Sequence, residues 1–238
     1  FSYLSIYRNN IIIGNSTHSE FVDENMLSEV NTYSISAFDY HGNESNQSYS
    51  VELTSFADYT LSLNNGANLI SFWAIPEDNS VNNVLYSLGT NATGIIGEGV
   101  AASQISPGLW VGSLENISPT GGYWVKINNS ADLEITNAIP SYETAIYNLH
   151  SGANLISYNL SYEQSITTAI PDLVENLFTG IIGEGVAASQ IAPGNWVGSL
   201  TQWTPGKGYW AKLSEDIEFV FNEGAEFIRK IELYENPY

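Results

Sequence analysis

The sequence contains no cysteine and very few basic residues. Among its 238 residues, Lys and Arg total 6 against 26 Asp and Glu, which gives a formal net charge of −20 at pH 7. Without cysteine, the chain can form neither disulfide bonds nor thiolate metal sites. So acidic a surface nearly excludes nucleic-acid binding by phosphate neutralisation, and it disfavours attachment to anionic membranes.

Long apolar segments are missing as well. No run approaches the roughly 18 residues that a membrane helix needs, and the sequence shows no secretory signal peptide. The chain starts at Phe1 without Met, so we expect that its start is missing or trimmed. Hydrophobic residues make up 43% of the chain and charged residues 13%, a balance that indicates a globular protein.

Two parts of the chain repeat each other. GANLIS occurs at 66–71 and again at 152–157, an offset of 86 residues, and GIIGEGVAASQI recurs from 94–105 to 180–191 at the same offset. PG-x-WVGSL and GYW-x-K also occur twice with this spacing. A fixed offset over several motifs identifies a tandem duplication, and we expect its register to hold without insertion from about position 61 to 135.

Local signals within each repeat are mostly those of strands and tight turns. Apolar residues between Ser80 and Leu88 recur at helical spacing and are followed by Gly89, which predicts one short helix. The matching segment of the second repeat contains Pro171, which ends or restarts a helix.

Residues 1–57 match neither repeat and show alternating strands with frequent turns, as in a β-sandwich. Leu27, Tyr33 and the Gly-Asn-Glu-Ser turn at 42–45 resemble the end of a fibronectin type III domain, and residues 3–10 resemble its third strand. The first two strands of that family have no counterpart here, so the resemblance implies an incomplete sandwich. We expect one sheet and a single facing strand near 20–23, with the sheet built from 3–10, 11–14, 32–40 and 49–53.

Such a sandwich would leave apolar residues uncovered and a strand edge open, which favours burial against the first repeat or self-association. The repeat pair resembles a duplicated module of large secreted proteins of marine bacteria. Residues 232–238 are similar to the opening of sorting domains of the type IX secretion pathway. These resemblances imply a secreted or cell-surface location.

The predicted fold is therefore mainly β: a truncated fibronectin type III-like sandwich followed by two homologous small β-rich repeats, each with one short helix. The predicted organisation is an incomplete sandwich, repeat 1, repeat 2 and a C-terminal tail, at 1–57, 58–138, 144–222 and 223–238. The repeats are expected to pack about a pseudo-two-fold axis, with the duplicated GIIGEGVAASQI run as their shared face.

Several motifs are better explained by structure than by chemistry. Gly97 to Ala102 fits a dinucleotide fingerprint, but Pro107 prevents the helix that phosphate binding requires. The three histidines lie in unrelated segments, so no metal site is predicted from them. No catalytic elbow or singled-out carboxylate pair occurs, and no cofactor is expected. Loop carboxylates such as Asp23 and Glu24 are the candidates for a calcium ion.

The duplicated charges suggest ion pairs. Lys126 and Lys212 are equivalent positions in a chain poor in basic residues, and so are Glu98 and Glu184. We expect a Glu–Lys pair within each repeat, Glu98 with Lys126 and Glu184 with Lys212. The alternative is that the lysines only cap exposed strands.

Strand alternation identifies a candidate ligand site. It places Trp124 with Lys126, and Trp210 with Lys212, on the solvent side of their strands, while Tyr123 and Tyr209 face the core. Tryptophan stacks on the flat faces of sugars, so these four residues, together with Trp203, are the candidate ligand-binding residues. Trp110 and Trp196 are expected in the core. The alternative is that all six tryptophans fill the core.

These features favour a non-catalytic module of a secreted or cell-surface protein that is adhesive or binds polysaccharide. A structural spacer that presents other domains is the alternative, and a carbohydrate hydrolase is a third hypothesis. The expected partners are a polysaccharide or another surface protein, with neither nucleic acid nor membrane insertion.

Overall fold

A computed structural model describes residues 2–23, 29–141 and 145–222. The chain is mainly β, built from several antiparallel sheets, and it divides into two compact units at positions 57 and 58. No helix within the described ranges is long and apolar enough to span a bilayer. The predicted tail at 223–238 lies outside the described residues, and so do Leu27 and Glu24.

The first unit contains one four-stranded antiparallel sheet. Its strands lie side by side in the order β2-β1-β3-β4. They comprise β1 (Tyr3–Arg8), β2 (Ile11–Ser16), β3 (Glu29–Phe38) and β4 (Val51–Ser55). These are the strands that the sequence predicts for the sheet.

The predicted facing strand near 20–23 is wrong, because residues 20–23 form no strand. Side chains hold this segment instead. The ring of Phe21 lies over Gly14, where a Cβ would come within 2.6 Å of it. The carboxylate of Asp23 accepts hydrogen bonds from Arg8 Nη1 at 2.8 Å and from the Tyr33 hydroxyl at 2.7 Å. Burial, and then the bond to Asp23, raise the pKa of Tyr33 to about 12.

One face of this sheet keeps exposed apolar side chains. Ile6 is buried, but its register partner Ile35 is 42% exposed, and Val51 and Leu53 on the adjoining strand are 60% and 50% exposed. This face is therefore partly exposed, and the incomplete sandwich stays a prediction. Self-association through it stays a prediction.

The second unit has two halves, which we define as residues 58–141 and 145–222. The first half contains a five-stranded sheet in the order β10-β9-β8-β11-β6 and a three-stranded sheet in the order β5-β12-β7. In chain order its strands are β5 (Ala57–Leu63), β6 (Gly66–Ser71), β7 (Ala74–Pro76), β8 (Ala92–Gly97), β9 (Val100–Ser106), β10 (Leu109–Gly112), β11 (Gly122–Ile127) and β12 (Ala131–Pro140).

The second half contains a five-stranded sheet in the order β14-β20-β16-β17-β18 and two strand pairs, β13-β21 and β15-β19. Its strands are β13 (Tyr147–Leu149), β14 (Gly152–Ile156), β15 (Gln164–Ser165), β16 (Phe178–Gly183), β17 (Val186–Ala192), β18 (Asn195–Gly198), β19 (Gln202–Trp203), β20 (Tyr209–Leu213) and β21 (Ile217–Phe219). Read in the opposite direction, its five-stranded sheet has the same order of equivalent strands as the five-stranded sheet of the first half.

The helices are short and differ between the halves. The first half has α1 (Val81–Val84), followed by a 3₁₀ segment (Tyr86–Asn91) that Gly89 interrupts at a φ of 52°. The second has α2 (Ile166–Ala169) and α3 (Asp172–Glu175), because Pro171 separates them. The expectation of one helix in each repeat is therefore wrong for the second half.

The register between the halves also shifts at these helices. Ser80 caps α1 through its hydroxyl, and Ser165 caps α2 in the same way, but the two caps are 85 residues apart rather than 86. The second half has one residue fewer than the first between GANLIS and its cap, and one residue more between the cap and the GIIGEGVAASQI run. The expected gap-free register is thus interrupted at this point.

The two halves pack against each other through equivalent segments, so that each half covers the open edge of the other half's sheet. Ile70 of β6 pairs with Lys207, and Ile156 of β14 pairs with Gly121. Backbone bonds of 3.0 Å join Ser71 N to the carbonyl of Gly206, and Ser157 N to that of Thr120. A contact that uses the same patch twice has pseudo-two-fold symmetry, as expected.

The shared face differs from the expected one. It consists of GANLIS and the loop before GYW, while the GIIGEGVAASQI run contributes Glu98 and Glu184. Glycine allows the close approach: a Cβ at Gly122 would lie 2.7 Å from the carbonyl oxygen of Ile156, and one at Gly208 would lie 2.6 Å from that of Ile70.

Candidate functional site

The strand that carries Trp124 alternates as the sequence predicts. Tyr123 and Val125 are buried, Trp124 is half-buried and Lys126 is exposed. Burial raises the pKa of Tyr123, whose hydroxyl oxygen accepts a bond from Ser118 N. β20 repeats this arrangement.

Trp124 and Trp210 lie on the outer faces of the two five-stranded sheets. Trp124 is in register with Leu69 on one side and with Ile96, which is 55% exposed, on the other. Trp210 is in register with Leu155 and with Ile182, which is 43% exposed. Each tryptophan is thus flanked by a buried leucine on one side and an exposed isoleucine on the other, and the lysine two residues later lies on the same face.

Trp203 does not belong to such a surface, and its candidate role in ligand binding is corrected. It is fully buried and packs edge-on against Tyr209 at a centroid distance of 4.5 Å and against Phe221 at 5.0 Å. Its ring also stacks with Tyr158. Ile117 has the equivalent position in the first half, where it too is almost fully buried. Trp203 is therefore a core residue.

The remaining pair, Trp110 and Trp196, was expected in the core, but both are half-buried. The indole Nε1 of Trp196 donates to the carboxylate of Glu175 at 3.0 Å, and Glu175 is only 7% exposed. Their strands, β10 and β18, lie at the edges of the five-stranded sheets, where neighbouring residues bury the rings only partly.

The expected Glu–Lys pairs are replaced by contacts between the halves. Lys126 is in register with Gly94, four residues before Glu98, so the two charged groups are not partners. Glu98 instead accepts from His150 Nε2 at 2.8 Å and from Leu155 N at 2.7 Å. In the other half, Glu184 accepts from Leu69 N at 3.0 Å, and Lys212 lies opposite Gly180.

The contact between Glu98 and His150 has no equivalent at Glu184. Position 64, which corresponds to His150, is Asn. The carbonyl of Ser151, and then the side chain of Glu98, raise the pKa of His150, because both accept from the imidazolium. The interface is therefore asymmetric in detail, because Glu98 has a histidine partner and the position equivalent to that histidine beside Glu184 is Asn64.

At the end of the interface that contains Asn64 and Glu184, the structure has a cleft of about 370 Å³ between the halves. Asn64 and Asn68 contribute from the first half, and Glu184, Lys207 and Tyr209 from the second. Its other lining groups are mostly small or hydrogen-bonding residues of the second half: Gly183, Val186, Ser199, Leu200, Thr201, Gln202 and Thr204. The sequence-based search missed this site, although Asn64 and Lys207 differ from their counterparts His150 and Gly121.

Metal ligands do not cluster in the described ranges: no group of three or more His, Asp or Glu side chains could hold an ion there. Asp23, a calcium candidate, contacts Arg8 and Tyr33 as described above.

Comparison of the chain with protein-family models, with curated proteins and with solved structures finds no match.

Proposed function

We propose that this chain is a non-catalytic module of a secreted or cell-surface protein, and that it is adhesive or binds polysaccharide. The observation that carries the proposal is the pair of equivalent, half-buried tryptophans, Trp124 and Trp210, each beside an exposed isoleucine on a partly exposed sheet face. A flat aromatic ring beside polar groups suits the C–H faces and hydroxyls of a sugar. Two equivalent sites in one unit would raise avidity for a repeating polymer.

The general acid of a glycosidase has a raised pKa. At three carboxyl groups of this chain, Asp39, Glu44 and Asp78, hydrogen bonds from neighbouring residues lower the pKa instead.

The fibronectin type III resemblance of the first unit and the likeness of the repeats to modules of secreted proteins support the proposed location. A structural spacer is the alternative function, and the mutual coverage of the sheet edges by the two halves favours it, because backbone hydrogen bonds join the halves into one unit.

A glycan-array screen of the wild-type chain and of the Trp124→Ala/Trp210→Ala double variant tests the proposal. We expect the wild type to bind a glycan and the double variant to lose binding at nearly unchanged stability. The control is Tyr86→Ala, which removes another aromatic ring that is 77% exposed. Absence of wild-type binding to any glycan would favour the spacer, and binding that survives the double variant would refute the tryptophan site.

A further inference from the structure

The two glutamates at the interface between the halves differ in how their oxygens are used. In Glu98 both carboxylate oxygens are engaged, Oε2 by Leu155 N and Oε1 by His150 Nε2. In Glu184, Oε2 accepts from Leu69 N, and Oε1 has no hydrogen-bond donor among the described residues. The Glu98 end thus provides an internal example of the group that completes this site, a ring-nitrogen donor that bears positive charge when the imidazole is protonated.

The cleft around Glu184 is suited to receive such a donor from a ligand. Lys207 also lines it, but among the described residues no ion pair joins Lys207 to Glu184. Two of the polar groups are held in place, because Glu163 accepts from Gln202 Nε2 at 2.6 Å and from Thr204 Oγ1 at 3.2 Å. Pre-positioned groups lower the cost of binding a small ligand.

We infer that this cleft binds an amino sugar, a saccharide unit with a free ammonium group. The ammonium donates to Glu184 Oε1, in the position that the His150 imidazole takes at Glu98. Ring hydroxyls bond to Asn64 and Thr201, and Lys207 donates to a hydroxyl oxygen. The inference shares its ligand class, a saccharide, with the proposed function, but the site is different.

Charge and size favour this ligand class. An ionised carboxylate only accepts hydrogen bonds, and bonds from a charged donor are the strong ones. The net charge of −20 attracts a cationic ligand. A volume of about 370 Å³ lies at the lower end of small-molecule sites, and the neutral amides and hydroxyls of the lining match sugar hydroxyls.

The test is calorimetric titration with the disaccharide of glucosamine and with its N-acetylated form. N-acetylation removes the charge, so we expect it to weaken binding about 10- to 100-fold, as loss of a charged hydrogen bond does. Glu184→Gln should have a similar effect. Asn64→His should abolish binding, because the new imidazole would contact Glu184 Oε1 as His150 contacts Glu98 Oε1.

The matched control is Glu98→Gln, which removes the same charge at the equivalent position and should leave the affinity unchanged. Thermal melting of each variant shows that it is folded. Equal affinity for both disaccharides, or equal effects of Glu98→Gln and Glu184→Gln, would overturn the inference, the latter because it indicates diffuse charge attraction. Absence of binding by the wild type would overturn it too.

The two sites can be judged separately. If Trp124→Ala/Trp210→Ala abolishes array binding while the glucosamine disaccharide does not bind, the proposed function stands and the inference fails. If the disaccharide binds and Asn64→His abolishes that binding, while the array shows no effect of the tryptophan variants, the inference stands and the tryptophan site fails.

Discussion

Substitution of Gly208 by Ala should weaken the contact between the two halves of the second unit. The new Cβ would lie 2.6 Å from the carbonyl oxygen of Ile70, whereas ordinary contacts begin near 3.4 Å, so the backbones must separate by about 0.8 Å. That movement strains the bond from Gly208 N to the carbonyl of Leu69 and the bond from Ser71 N to that of Gly206.

The size of the effect follows from these losses. Overpacking costs about 1–3 kcal/mol, and each weakened hydrogen bond up to about 1 kcal/mol. The lower chain entropy of the unfolded alanine variant offsets roughly 0.5–1 kcal/mol. We expect Gly208→Ala to lower the free energy of unfolding by about 2–3 kcal/mol, and Gly122→Ala to do the same on the equivalent side.

Urea unfolding followed by tryptophan fluorescence measures this effect, because all six tryptophans lie in the second unit. The control is Gly94→Ala in β8, whose Cβ would meet the carbonyl oxygen of Ala102 at an ordinary 3.6 Å. We expect this control to be neutral or slightly stabilising. If Gly208→Ala is as stable as Gly94→Ala, the interface does not depend on this close approach.

Three further predictions concern single side chains. Trp203→Ala should cost about 3–5 kcal/mol in urea unfolding, since the ring is fully buried, and clearly more than Trp124→Ala. Ser165→Ala removes the α2 cap and should cost about 1 kcal/mol by the same assay; an unchanged midpoint would contradict a capping role. The pKa of His150 is raised in the folded chain, so its contact with Glu98 stabilises most below about pH 6.5, and this contribution is lost as pH rises through the raised folded pKa. The melting-temperature difference between wild type and His150→Asn should shrink accordingly toward alkaline pH, and a constant difference would contradict this.

Much of the strand framework could be predicted from the sequence, because alternation and turn residues act locally. The faces of Tyr123 and Trp124 follow from period two alone. The repeated Gly-Tyr-Trp segment indicated a shared, symmetric architecture, but local pattern does not identify which repeated segment forms the shared face. That choice depends on which sheet edge is open, and here it is the edge of GANLIS that the other half covers.

Other errors share one cause, since contacts between distant segments decided the outcome. Glu98 was assigned to Lys126 because both are duplicated, but a residue retained in both copies can serve an interface between copies just as well. Trp203 was predicted to bind a ligand, whereas in the fold the rings of Tyr158, Tyr209 and Phe221 pack against it. Residues 20–23 were expected to pair as a strand, but the side chains of Phe21 and Asp23 hold them through contacts that no pattern encodes.

The differences between the two copies carry functional information beyond that of the residues they share. A duplicated residue such as Gly122 or Gly208 is explained by packing, since the same interface needs it twice. A residue that differs at an otherwise symmetric interface has no such explanation. His150 and Asn64 are equivalent positions beside equivalent glutamates; His150 bonds to Glu98, whereas Asn64 and Glu184 line a cleft. Symmetry alone predicts two identical ends of the interface. Asn64 and Lys207 break that symmetry, so they are the positions at which selection for a ligand would act.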